Sequence, residues 1–165
     1  GSYVGKYLKK LEYNVVGLKN SISKTKSSFP IFTYAKKNYF IKSSDIIVSI
    51  LPSTKDTNNL INTDFLKKMK KKSLLINVGR GATINEKDLI NHSKKNKDFF
   101  ASLDVFKSEP LPKNNLLWAV KNITITPHVA SLTVINIIVE QMYKSLLNYK
   151  KNKKIKNDVD LRKGY

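Results

Sequence analysis

The sequence predicts an α/β domain with a doubly wound, mainly parallel sheet. Three observations carry that expectation. Short apolar runs recur at residues 45–51, 73–78, 99–105 and 122–126. Segments with apolar residues at helical spacing alternate with them. Proline or glycine follows the first two of these runs, at Pro52 and Gly79. Strands alternating with helices favour a parallel sheet whose right-handed crossovers lay helices on its faces.

Each element has its own signal. Val4, Tyr7, Leu8 and Leu11 recur at helical spacing, so residues 2–12 read as a helix. Residues 14–18 read as a short strand, 21–28 as a polar loop and 35–43 as a weak helix. The unbroken apolar run 45–51, stopped by Pro52, has the character of a strand buried in a parallel sheet. Asn62, Thr63 and Asp64 offer capping side chains before a short helix through Met69. The strand 73–78 follows. Asn85, Glu86, Lys87 and Asp88 open a helix that runs to about Lys95. Strands at 99–105 and 122–126 precede a long helix, 131–149. That helix carries Leu132, Ile135, Ile138, Val139, Met142, Leu146 and Leu147 on one face. The domain is expected to occupy 1–150, with a polar, extended tail over 151–165.

Bulk properties narrow the classes. At 165 residues with 41% hydrophobic content, the chain suits one folded domain with a real core. It has no cysteine, which excludes disulfides and thiolate metal sites. No apolar run approaches the roughly 20 residues that span a bilayer, and no signal peptide stands out, so a soluble cytoplasmic protein is expected, with no membrane partner. The net charge of +19 raises nucleic acid as a partner. The charge is nearly all lysine, spread along the chain, and arginine occurs only as Arg80 and Arg162. A nucleic-acid surface more often uses arginine forks and interleaved aromatics, so a solvated lysine-rich surface is expected instead.

Three residues could carry chemistry. Arg80, Glu109 and His128 each lie just past a strand-like run. In sheets of this kind ligands bind beyond the carboxyl ends of the strands. A guanidinium can grip a carboxylate, an imidazole can exchange a proton, and an acid can hold that imidazole charged, a combination suited to reducing a keto acid. Taken singly, each has a plainer reading. Arg80 could be a structural arginine, His128 a core or capping residue, and Glu109 a turn residue before Pro110. His92, on a lysine-rich helix, reads as solvated, and Trp118 reads as packing. No paired histidines suggest zinc, and no Gly-x-Ser-x-Gly elbow or Gly-Lys-Ser/Thr loop is present.

Five motifs then follow in order: Leu51-Pro52-Ser53-Thr54, Asn77-Val78-Gly79-Arg80-Gly81, Leu103-Asp104-Val105-Phe106, Glu109-Pro110-Leu111-Pro112 and Pro127-His128-Val129-Ala130. Together they resemble the nucleotide-binding domain of the D-isomer-specific 2-hydroxyacid dehydrogenases, in particular the glyoxylate/hydroxypyruvate reductase A type. Leu117-Trp118 and Val159-Asp160-Leu161-Arg162-Lys163-Gly164-Tyr165 fit that subgroup too, and the resemblance covers the whole chain. It implies a Rossmann-like fold, a homodimer, and reduction of a small 2-keto acid such as glyoxylate or hydroxypyruvate with NADPH or NADH. By the same resemblance Arg80 would hold the substrate carboxylate, and His128, paired with Glu109, would donate the proton. Asp104 would bond the nicotinamide carboxamide, and Leu51, Pro52, Thr57, Val78, Gly79 and Ala130 would lie along the cofactor. For Thr57, simple turn chemistry explains the residue nearly as well.

The chain departs from the family pattern in three ways. The first strand and most of the Gly-x-Gly-x-x-Gly loop are absent, and Gly1, followed by Ser2, reads as its last glycine. The domain that closes over the substrate is also absent, so the chain reads as a carboxyl-terminal half. Finally, Leu18-Lys19-Asn20-Ser21 stands where NAD-preferring members place an acid, so Lys19 favours NADP, with NAD possible. An inactive truncated fragment that binds nucleotide weakly is the alternative reading.

Overall fold

The four apolar runs in the middle of the chain pair with one another in sequence order. A computed structural model describes residues 1–20, 27–131 and 134–155. Strands β3 (Ile46–Ser49), β4 (Ser73–Asn77), β5 (Phe99–Leu103) and β6 (Ile123–Ile125) form one sheet, ordered β3-β4-β5-β6. Every pairing is parallel, so all four carboxyl ends lie along one rim. Two further strands, β1 (Gly17–Lys19) and β2 (Ile31–Thr33), make a separate parallel pair. Among the described residues the α-helices are α1 (Ser2–Lys10), α2 (Lys37–Ser43), α3 (Thr63–Lys68), α4 (Glu86–Lys95) and α5 (Ile135–Lys150).

Alternation along the strands decides which face is buried. Ile47, Leu75, Phe99, Ala101 and Leu103 point to the covered face. There they meet Ile41 of α2, Phe65 and Leu66 of α3, and Leu89 and Ile90 of α4 in one cluster. Truncating Leu66 or Leu75, both fully buried, to alanine is expected to cost about 2–5 kcal/mol. The other face carries the register row Ile46, Leu74 and Phe100. Ile46 and Phe100 on that row remain 48% and 54% exposed.

Local chemistry sets the helix starts. Asn62 caps α3 by accepting from the Phe65 amide at 3.2 Å, and Asn85 caps α4 by accepting from the Asp88 amide at 3.2 Å. Asp88 then reaches outward, taking the Thr63 amide at 2.9 Å and tying the two helix starts together.

Several expectations need correction. The sheet is not continuous: β1 and β2 hydrogen-bond to each other but not to the β3–β6 sheet. The first strand lies at Gly17–Lys19 rather than 14–18, because pairing with β2 fixes it, and β2 itself was not foreseen. The last helix begins at Ile135, not 131, and none of its residues is buried. His92 is only partly solvated. Its ring meets Phe99 edge to face at 4.8 Å, and burial pushes its imidazole below the ordinary range. Trp118 is half exposed, with its indole N–H on the Pro112 carbonyl at 3.0 Å, while Leu117 beside it is fully buried. Positions 21–26, Leu132 and the motif from Val159 to Tyr165 lie outside the described residues.

Candidate active site

The strand ladders continue past their ends and stitch the rim together. Val78 donates its amide to the Ser49 carbonyl (3.1 Å), Asp104 to that of Asn77 (3.0 Å) and Thr126 to that of Leu103 (3.0 Å). Each of the predicted catalytic residues lies a few residues beyond one of these links. Arg80 follows β4, Glu109 follows β5 and His128 follows β6.

His128 and Glu109 meet. The imidazole Nδ1 lies 2.7 Å from Glu109 Oε2. The second carboxylate oxygen of Glu109 accepts the Phe106 amide at 2.8 Å, so both oxygens are committed and the carboxylate cannot swing away. That amide bond and the His128 bond hold the Glu109 carboxyl below the usual range; burial opposes them, and the charges of His128 and Arg80 add to the lowering. The Arg80 guanidinium donates one bond, 2.7 Å, to the carbonyl of its own neighbour Gly79, and the residue is exposed.

Close backbone approaches position these loops. An added Cβ at Gly81 would fall 1.9 Å from the Phe106 carbonyl carbon, so the Arg80 loop rests directly on the turn that carries Glu109. At Gly79 it would fall 2.6 Å from the Leu51 carbonyl oxygen, so the loops after β3 and β4 touch as well. Buried Asn77 locks the Arg80 turn from beneath, donating to the Arg80 carbonyl at 3.3 Å and accepting the Gly79 amide at 3.3 Å.

Asp104 clamps the histidine loop. Its carboxylate is nearly fully buried and accepts the Thr126 hydroxyl at 2.5 Å and the amides of Val129 and Ala130, each at 2.9 Å. Burial pushes this carboxyl up, but those bonds together with the His128 charge outweigh it and leave the group below its ordinary value. Between the clamped residues His128 adopts a left-handed backbone with φ of 54°, a conformation that non-glycine residues rarely take without support.

Residues 1–130 match the model of the D-isomer specific 2-hydroxyacid dehydrogenase, NAD binding domain. The chain belongs to this family. A glyoxylate/hydroxypyruvate reductase A from Photorhabdus laumondii is 36% identical over 126 residues, which are 76% of this chain and 40% of that protein. A solved D-isomer specific 2-hydroxyacid dehydrogenase from Xanthobacter autotrophicus, in complex with NADPH, superposes with a TM-score of 0.93 at 30% identity. The match covers 100% of this chain and 68% of that one. An NADPH-dependent glyoxylate/hydroxypyruvate reductase from Sinorhizobium meliloti, in complex with NADP and sulfate, gives 0.92 at 25% identity, covering 100% of this chain and 54% of that one. The chain thus spans about half the length of most of the relatives it matches.

Within this dehydrogenase domain the remaining predicted positions are spread along the chain. Leu51 and Pro52 form the turn after β3, and Thr57 closes it by donating to the Pro52 carbonyl at 2.6 Å. Val78 and Gly79 form the next turn. Lys19 ends β1 in the two-stranded sheet and is exposed. Gly1 and Ser2 start α1, where both are exposed. An added Cβ at Gly1 would meet nothing within 4 Å, whereas one at Gly5 would fall 2.4 Å from the Phe29 ring. Sequence reasoning also missed Asn77 and Gly81 as supports of the Arg80 loop; the Gly-Arg-Gly spacing was the one signal that marked Gly81.

Proposed function

We propose that this domain carries the catalytic side chains of a 2-hydroxyacid dehydrogenase that reduces a small 2-keto acid, glyoxylate or hydroxypyruvate, with NADPH preferred over NADH. The observation that carries the reading is the 2.7 Å His128–Glu109 pair, next to the Arg80 loop on one rim of parallel strand ends. The rim also suits a nucleotide, because ligands of parallel sheets bind beyond the carboxyl ends of the strands, and here all four ends lie side by side. Leu51, Pro52, Thr57, Val78, Gly79 and Ala130 would line it. Gly1 and Ser2 would approach the pyrophosphate, and Lys19 the ribose phosphate. Asp104 uses three of its roughly four acceptor positions internally, leaving one for the carboxamide.

The chemistry divides simply. The nicotinamide, when bound, supplies the hydride to the carbonyl carbon. Arg80 grips the substrate carboxylate and polarises the carbonyl with its fork. Because Nδ1 of His128 is held by Glu109, Nε2 is the nitrogen that gives its proton to the carbonyl oxygen. A 2-hydroxy acid results. The test is glyoxylate-dependent NADPH oxidation by the full-length dehydrogenase carrying this domain, compared with its Arg80→Lys variant. The variant should lose about 2–4 kcal/mol of transition-state stabilisation, or roughly 30- to 10³-fold in kcat/KM. Equal values in the two proteins would remove Arg80 from the mechanism.

The domain assignment is 1–150, with 151–165 as tail, in a cytoplasmic homodimer whose mass light scattering would give. Among the described residues no helix is long and apolar enough to cross a membrane. A second reading has its own support: β1 and β2 stand apart from the main sheet, so the 165 residues alone would bind nucleotide weakly and turn nothing over. An NADPH titration of the isolated chain separates the two, since micromolar binding would count against weak binding.

A further inference from the structure

We propose that Glu86 is a positioning residue for the reaction centre: it ties the turn at 106–115 to the start of α4 and so fixes the Glu109 carboxylate opposite His128. The inference rests on the role given above to the Glu109–His128 pair. Glu86 is the first residue of α4, and Asn85 already caps that helix with its own side chain. The Glu86 carboxylate is therefore free to reach across. Oε1 accepts the Lys107 amide at 2.9 Å and Oε2 accepts the Asn115 side-chain N–H at 3.4 Å. Asn115 in turn holds the Leu117 amide at 2.9 Å, which anchors the far end of the segment beside buried Leu117.

Two carboxylates thus hold consecutive amides of one turn. Glu109 takes that of Phe106 from within, and Glu86 takes that of Lys107 from α4. The same turn rests on Gly81. Arg80, Gly81 and Glu86 belong to one short segment, so a single piece of chain carries the guanidinium and also fixes where Glu109 stands.

A plainer role for Glu86 would be to favour the positive end of the helix dipole. Two substitutions separate the roles. Glu86→Asp keeps the charge at the helix start but shortens the reach by about one bond, roughly 1.5 Å, which breaks a bond of this length. Glu86→Gln keeps the reach of the Oε1 that accepts the Lys107 amide but removes the charge and the second acceptor that faces Asn115. The chain has two histidines, so ¹⁵N-histidine labelling resolves both rings, and His128→Gln identifies the relevant signals by their disappearance.

The measurement is the ¹⁵N shift of His128 Nδ1 at pH 7 in the 165-residue chain and in Glu86→Asp, Glu86→Gln and Glu109→Gln. Glu86→Asp should move the signal more than half-way from the unsubstituted value to that of Glu109→Gln, and Glu86→Gln should stay near the unsubstituted value. If Glu86→Asp leaves the signal in place while Glu109→Gln moves it, the positioning role is overturned and the pair stands. If Glu109→Gln moves nothing, the pair itself is absent, and both this inference and the reading it rests on fail.

Discussion

Replacing Gly81 with alanine tests the geometry of the site most directly. The added Cβ would stand 1.9 Å from the Phe106 carbonyl carbon, 2.0 Å from its oxygen and 2.5 Å from the Lys107 nitrogen. All three are backbone atoms, so no side-chain rotation can relieve the contact. Ordinary contact begins at 3.4 Å, so the Arg80 loop and the Glu109 turn must part by about 1.5 Å. Overpacking of this kind costs about 1–3 kcal/mol, a large share of a typical folding free energy of about 5–15 kcal/mol. A displacement near 1 Å between reacting groups also costs about 10²-fold in rate. Gly81→Ala should therefore lower both the urea midpoint of the chain and, in the full-length dehydrogenase, kcat for glyoxylate reduction. NADPH affinity should change far less, because the contact between Gly79 and Leu51 is untouched. An unfolding free energy within about 0.5 kcal/mol of the unsubstituted chain would refute the contact. Unaltered kcat would refute the dependence of catalysis on the spacing.

Other perturbations reach different parts of the rim. The folded-state carboxyl of Glu109 lies below its ordinary value of 4.5. Its contribution to stability is present above that value and is lost as pH falls through the lowered one. Glu109→Gln should remove that share of the acid-side stability loss, as read by denaturant titrations between about pH 5 and 3. Asp104→Asn would turn an amide N–H toward the Ala130 N–H and should destabilise the chain by about 1.5–3 kcal/mol; the midpoint of thermal unfolding reports it. Lys19→Glu should weaken NADPH binding more than NADH binding, and fluorescence titrations with both cofactors that show equal changes would remove Lys19 from the ribose-phosphate contact.

The main sheet was legible because its strands are apolar enough to show without context. The run at 45–51 became β3, and 73–78, 99–105 and 122–126 became β4, β5 and β6, each trimmed at the ends. Asn62 and Asn85 marked their helices because a side-chain cap is a local event. Ile31–Thr33 was not legible: three residues after Phe29-Pro30 are too few to show a period, and only pairing with Gly17–Lys19 makes them a strand. The site divides the same way. Arg80, Glu109 and His128 stood out through residue type and spacing. Their supports did not: Gly81 and Glu86 act through contacts with distant segments, and Asn77 through side-chain bonds inside the Arg80 turn that residue type alone does not specify. A one-atom clearance between Gly81 and Phe106 leaves no trace in composition, and the Glu86 to Lys107 bond spans 21 positions.

The bared row of Ile46 and Phe100 and the uncovered aliphatic side chains of α5 have a colloidal consequence. Surfaces of this kind attract their like, while 19 net positive charges push the molecules apart. Added electrolyte weakens only the repulsion, since the screening distance shrinks from about 10 Å at 0.1 M to about 3 Å at 1 M. Isolated, these 165 residues should therefore stay dispersed in dilute buffer and clump as salt is raised, the reverse of a protein whose greasy faces are already covered.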